Sequence, residues 1–410
     1  MNAVLSDTRV PFGQLQQVRL VVVAVTVCLV LSSCCVAVAP TPGATALPSS
    51  TATLTVTGAP TRTAIETPRT TSSPTLAPSG TPTATPTFAP SATSSASPVP
   101  TATRTLTPAY RLNASGWVGL GAHMDGMPYD RFLGAQQFEG LIRHKLEYVL
   151  WFQAWGESDN AFLTEPVRLA AQMGFTPVIT WEPWKRNFAN PTELQPAYSL
   201  ASIEAGEHDA YIRGWARAAR AAGVPLVLRF AHEQSTEPGT RPWYPWQGDP
   251  EGYRGAYRHV VELFRAENAR NVQFLWSAMW LNQWAAQYYP GSDVVDMVGT
   301  TVLNHGTAAT ADWARWRTFD ELFQGQYEAA LQWGKPILVT ELATAEQGGN
   351  KADWLRACLV SLRSGYPLVR GLLLLEVPSD REYPTINWSV ASSPQSLATF
   401  REIIRDGYFR

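Results

Sequence analysis

The chain has 410 residues, 45% of them hydrophobic and 16% charged, and carries a formal net charge of -2. A near-neutral chain with no basic run lacks the positive footprint that phosphates require, so nucleic acid is excluded as a partner. Three of the four cysteines, Cys28, Cys34 and Cys35, fall within the first 39 residues, which leaves Cys358 without an internal mate and excludes a disulfide scaffold.

Arg9 and Arg19 precede an apolar run over 20–31, and Leu31-Ser32-Ser33-Cys34-Cys35 follows it. A basic start, an apolar run and small residues have the form of a secretory signal over 1–39. The run is shorter than the roughly 20 residues that a membrane-crossing helix needs. Leu31-Ser32-Ser33-Cys34 resembles a bacterial lipoprotein box, in which Cys34 becomes the lipidated first residue; cleavage after Ala37-Val38-Ala39, with free secretion, is the alternative. Both routes place the protein outside the cell or at its envelope, the first on a membrane surface.

Residues 40–108 hold 21 Thr, 13 Pro and 9 Ser among 69 positions, whereas all sixteen Trp lie between Trp117 and Trp388. The Thr/Pro/Ser-rich stretch has one aromatic, Phe88, and no hydrophobic periodicity, so it cannot bury enough surface to offset its chain entropy. It reads as a disordered linker held extended by its prolines. The 302 residues from 109 to 410 read as one folded domain, expected as a monomer.

Within that domain, short runs rich in Val, Ile and Leu alternate with longer amphipathic stretches, the pattern of parallel strands joined by crossover helices. Strands are predicted over 117–123, 148–153, 176–181, 226–231, 272–276, 294–300, 337–340 and 371–375. Helices are clearest over 208–222, 253–267, 319–333, 352–363 and 395–405. Eight units of about 38 residues predict an α/β fold, a (β/α)8 TIM barrel. A doubly wound open sheet is the alternative, but no G-x-G-x-x-G or G-x-x-x-x-G-K-S/T loop follows any strand.

Chemistry in such barrels sits at the C-terminal ends of the strands. Those ends carry His123, Trp181-Glu182, His232-Glu233, Trp276, Asn304-His305, Glu341 and Glu376. Two carboxyl groups on separate strand ends are what glycosidic cleavage requires, one to protonate the leaving oxygen and one to attack or to activate water. Glu182, Glu233, Glu341 and Glu376 compete for the two roles, and each has the rival reading of a structural partner to an arginine such as Arg229. Glu233 and Glu341 stand 108 residues apart, three units of 36, which places them at equivalent heights on strands 4 and 7.

Ten Trp lie at or just past strand ends: Trp151, Trp155, Trp181, Trp184, Trp243, Trp246, Trp276, Trp280, Trp284 and Trp388. Indole faces stack on the apolar faces of pyranose rings, so this distribution predicts a sugar-binding rim. Packing of helix against barrel is the alternative, and it is the expectation for Trp215, Trp333 and Trp354. His123, His232 and His305 lack metal-ligand spacing, so no metal or cofactor is expected.

Leu228-Arg229-Phe230-Ala231-His232-Glu233, Trp243-Tyr244-Pro245-Trp246, Asn271-Val272 and Trp276-Ser277 resemble the strand 4 to strand 5 signature of glycoside hydrolase family 26. The likeness continues through Trp181-Glu182-Pro183, Tyr289-Pro290-Gly291, Lys335-Pro336-Ile337 to Glu341, and Asn387-Trp388-Ser389. The resemblance implies a retaining endo-β-glycanase acting on a polysaccharide, β-1,4-mannan or a related hemicellulose first. Glu233 matches the family's acid/base and Glu341 its nucleophile, with the carboxyl groups roughly 5–5.5 Å apart and the pKa of Glu233 raised. The resemblance implies His232 as a hydroxyl ligand or a support for Glu233, Trp388 as the floor of the cleaved sugar's subsite and Trp243 as a wall beside it. The candidate substrate-binding set is completed by His123, Trp181, Glu182, Arg229, Trp276 and Asn304.

Two departures from the family stand out. The stretch 234–242 is longer than the family's turn after the acid/base, and the Tyr that ends the family's strand 6 is replaced at Leu303, with Asn304 or His305 as stand-ins. Rival functions are a non-catalytic glycan-binding barrel, a β-glucanase or xylanase of the same fold, and a sugar-capturing lipoprotein serving an importer.

Overall fold

The computed structural model describes residues 116–410 apart from 189, 192, 241, 310–312 and 382. The signal segment, the lipidation site at Cys34, the linker and residues 109–115 lie outside the described residues.

Eight parallel strands close into a barrel in chain order. They are β1 (Gly119–His123), β2 (Tyr148–Ala154), β3 (Thr176–Glu182), β4 (Leu226–Phe230), β5 (Val272–Ala278), β6 (Met297–Asn304), β7 (Ile337–Thr344) and β8 (Val369–Leu375). The crossovers carry α1 (Leu133–Ile142), α2 (Thr164–Gln172), α3 (Leu200–Glu204), α4 (Asp209–Ala222), α5 (Pro250–Ala266), α6 (Gln283–Gln287), α7 (Phe319–Ala330) and α8 (Lys351–Gly365), and α9 (Pro394–Ile404) follows β8. Among the described residues no helix is long and apolar enough to cross a membrane.

All eight predicted strands are present, with bounds that differ from the predicted ones by one to four residues. β6 begins at Met297 rather than 294, because the Val294 N–H turns back to Gly291 O and Asp296 is spent on β5, accepting from the Phe274 N–H through Oδ2 at 2.9 Å. α3 and α5 to α9 start where a side chain accepts from a first-turn N–H group. Asp249 caps α5 just ahead of Pro250, and Thr318 with Glu321 forms a reciprocal capping box on α7. Gly223 ends α4 at φ 72°, a left-handed position that glycine adopts without a Cβ penalty.

Strand alternation divides the core in two. One set of side chains, including Tyr148, Leu150, Val178, Val227, Leu275, Met297, Leu338 and Leu373, fills the barrel. The residues between them face the helices and join the larger outer core. This period of two decides which strand-end residues reach the cleft.

Candidate active site

β4 and the turn that follows it deliver two charged residues to the site. Arg229 is fully buried and donates from Nη1 to Glu341 Oε1 at 2.8 Å. Beyond β4 the chain kinks: Ala231 and Glu233 take φ values of 44° and 52°, strained for non-glycine residues. The kink is pinned on both sides, by Ala231 N to Trp181 O and by Glu233 N to Ser277 O. It turns the Glu233 carboxyl toward β6, where Thr301 Oγ1 donates to Glu233 Oε1 at 2.8 Å.

Glu341 reaches the same space through an irregularity in β7. The register slips between Thr300 and Thr301 against β6 and between Val339 and Leu342 against β8. Consecutive residues of β7 therefore both serve the interior: Thr340 Oγ1 sits 3.4 Å from Ser277 Oγ, and Glu341 pairs with Arg229.

Both carboxyl groups line one cavity of about 760 Å³ at the C-terminal face, walled near them by Phe152, His232, Trp243, Tyr244 and Thr301. Burial and the negative charge of Glu341 push the Glu233 carboxyl up to about 7, against the opposing effects of Arg229 and the Thr301 hydrogen bond. The two groups thus sit in different electrostatic settings, the pattern expected of an acid and a nucleophile.

The lengthened stretch after Glu233 is clipped back onto the site. Gln247 Nε2 donates to Glu233 O at 2.5 Å while its Oε1 accepts from the N–H groups of Trp243 and Tyr244. Trp246 Nε1 donates to His232 O at 2.7 Å, and its ring lies parallel to Tyr244 at 4.6 Å. Trp243 and Tyr244 are thereby held over the cavity. The His232 ring packs against Tyr244 and Phe152, and burial holds its pKa well below the usual value, so the ring is neutral. Gln234 extends the same support, donating to Ser277 O and accepting from Trp276 Nε1 at 2.6 and 2.9 Å.

Several expected binding residues lie elsewhere. Glu182 is tied to Arg186 at 2.8 Å, with His232 Nδ1 at 3.9 Å, so it acts as a buried structural carboxylate. Trp181 alternates with inward Glu182 and faces the helices, stacked on Trp215 at 4.4 Å and bonded to the Tyr211 hydroxyl. Trp276 likewise points outward from β5, edge-on to Tyr289 and Trp333. Asn304 spends its side chain on Thr344 Oγ1 and on the N–H groups of Gly306 and Arg317, bracing the loop after β6. Trp388 is enclosed, its Nε1 bonded to Asp380 Oδ2 at 2.8 Å and its ring perpendicular to that of His305 at 5.0 Å. His123 is held by Leu150 O at 2.9 Å, edge-on to Phe152, outside the cavity wall. The fourth carboxyl, Glu376, accepts from the Val390 N–H and so anchors the segment carrying Trp388.

The expected indole rim is therefore mostly core. Trp151, Trp155, Trp184 and Trp246 are buried as well, while Trp243, Trp280 and Trp313 line the cavity. Trp215 and Trp333 pack between helix and barrel as expected, while Trp354 of α8 packs edge-on to Phe319 of α7. Sequence reasoning passed over Thr301, Tyr244 and Phe152 as site residues; inward alternation from Gly299 to Thr301 was the available signal for the first.

Residues 176–354 match the sequence pattern described as glycosyl hydrolase family 26. Over 307 residues the chain is 31% identical to endoglucanase H of Acetivibrio thermocellus, an alignment covering 70% of this chain and 31% of that protein's length. Among solved structures, a GH26 beta-mannanase from Bacteroides ovatus is similar at 16% identity and TM-score 0.53, over 72% of this chain and 90% of its own. An endo-beta-1,4-mannanase double mutant from Cellulomonas fimi is similar at 18% identity and TM-score 0.52, over 72% of each chain. At those identities the structural likeness speaks for the barrel fold.

Proposed function

We propose that this chain, which belongs to glycosyl hydrolase family 26, is a retaining endo-β-glycanase with Glu233 as acid/base and Glu341 as nucleophile. One observation carries the reading: two buried carboxyl groups from β4 and β7 share one open cavity, one raised to about 7 and the other ion-paired with a buried arginine.

In the first step a Glu341 oxygen bonds the anomeric carbon as the glycosidic C–O bond breaks and Glu233 gives its proton to the leaving oxygen. In the second, Glu233 takes a proton from water, the water oxygen bonds the anomeric carbon and Glu341 leaves. Arg229 holds the attacking carboxylate, and Thr301 with the Gln247 clip holds the acid. Trp243 and Tyr244 offer ring faces to the sugars.

The substrate is a β-linked polysaccharide. Mannan follows from the motif resemblance; β-glucan is favoured as a second reading by the 31% identity to a protein named as an endoglucanase. Reducing-sugar release from mannan, glucomannan, mixed-linkage glucan and xylan tests both, with the anomer of the first product read by NMR. Retention of configuration on one polymer supports the mechanism. Binding without release on every polymer sinks it in favour of a non-catalytic barrel.

A further inference from the structure

We propose that the cleft carries a side arm that binds one further sugar unit of the glycan, running from the carboxyl pair to the flank of α7 between Trp280 and Gly325. The proposal rests on the glycanase reading of the same cavity. That cavity does not end at Glu233 and Glu341: it continues past Leu303 to Leu322, Gly325 and Ala329 on α7.

The fold explains the opening. The crossover from β5 to β6 has a helix of only five residues, α6, so the flank of α7 on that side is left partly uncovered. Leu322, Gly325 and Ala329 follow one another at helical spacing along this flank. A Cβ built on Gly325 would meet nothing within 4 Å, and Ala329 adds a single methyl. Facing them is the segment after β5, where Trp280 is the only indole among the described residues with about half its surface exposed, at 48%.

The two walls are tied together rather than left to drift. Gln326 of α7 accepts from the Leu281 N–H at 3.0 Å and from the Thr300 hydroxyl, and donates to Leu322 O. An indole on one side and small residues on the other make a slot for a flat ring with apolar faces. Arg317 and Glu321 at its border offer a donor and an acceptor for hydroxyl groups at the ring's edge. A pyranose meets that description, and continuity with the carboxyl pair makes it a unit of the chain being cleaved. The unit comes either from the backbone or from a branch upon it.

Gly325→Leu plugs the arm and Trp280→Ala strips its platform. The plug replaces glycine by a better helix former, so the melting temperature should hold or rise. kcat/KM is measured on linear β-oligosaccharides of increasing length and on unsubstituted and branched forms of the polymer that the wild type cleaves. Both variants should lose about 10- to 200-fold on the substrates that fill the arm and much less on the shortest. A loss that grows with linear length identifies a backbone unit, and a loss confined to the branched polymer identifies a branch. Equal fold-changes across all substrates, or none, in variants of an active enzyme overturn the arm. A wild type that cleaves nothing overturns the glycanase reading instead. Calorimetric binding of the same oligosaccharides, lost in Gly325→Leu, would then support the arm, and binding unchanged in that variant would overturn it.

Discussion

In the proposed mechanism Thr301 is the hydroxyl that tunes the acid. Its Oγ1 donates to Glu233 Oε1, which favours the ionised carboxylate and works against burial and Glu341. With the Glu233 carboxyl near 7, the acid is protonated below that value, so kcat/KM should fall as pH rises through about 7. Thr301→Val removes a donor to the charged form, so this basic limb should move up by about one pH unit. Thr301→Ser should leave it in place. A limb unmoved in the valine variant would mean that the hydroxyl does not set the acid's titration. On aryl β-glycosides with an activated leaving group, Glu341→Ala should abolish turnover while Glu233→Ala keeps the glycosylation step, since no proton is needed there. Equal loss in both variants on that substrate would refute the assignment of roles.

Glu233 and Glu341 were legible as candidates because a strand end in a parallel barrel is a place, and sequence spacing finds places. Which way a residue at that place points is a separate matter. Trp181 sits beside Glu182 and Trp276 beside Ser277, and in each pair only one member can face the axis. The inward carboxylate at 182 consigned the indole at 181 to the helix layer. Glu341 defies simple alternation through its bulge, and no residue pattern in β7 announces that slip.

At the scale of elements, the outward indoles join helix to barrel. Trp155, Trp181, Tyr211 and Trp215 form a continuous aromatic block between β2, β3 and α4, with Tyr211 and Trp215 both donating to Asn160 O. Trp215→Ala opens a cavity there and leaves Trp181 without its stacking partner, so urea unfolding should show a loss of about 3–5 kcal/mol. A cost below about 1 kcal/mol would show that α4 docks without the block. The β8 end holds a second device. Burial raises the Glu376 carboxyl to about 7 despite hydrogen bonds from Ser389 and Val390 and the charge of Lys351. A raised carboxyl stabilises the fold fully below the unfolded value near 4.5, and that contribution is lost as pH rises through about 7. Glu376→Gln does not titrate, so its melting temperature relative to wild type should rise by a few degrees between pH 4.5 and pH 8. A constant difference over that range would rule out ionisation of Glu376 as the cause.

For the whole molecule, the barrel separates its two ends by task. The cavity and both candidate carboxyls lie at the C-terminal ends of the strands, whereas the chain enters at the other end, where Val118 bridges to Phe409 ahead of β1. The Thr/Pro/Ser-rich composition of 40–108 was readable from the sequence, while the entry face depended on closure of the barrel, a long-range pairing of β1 with β8 that no local pattern encodes. The proposed lipid on Cys34 can then be tested without touching catalysis. Cys34→Ala should move the protein from the membrane fraction to the soluble or secreted fraction and abolish incorporation of labelled fatty acid. Its kcat/KM on soluble oligosaccharides should match that of the wild type, since the described cavity wall runs from Phe152 to Glu341. Unchanged fractionation with no label in the wild type would assign the leader to cleavage after Ala39 and free secretion.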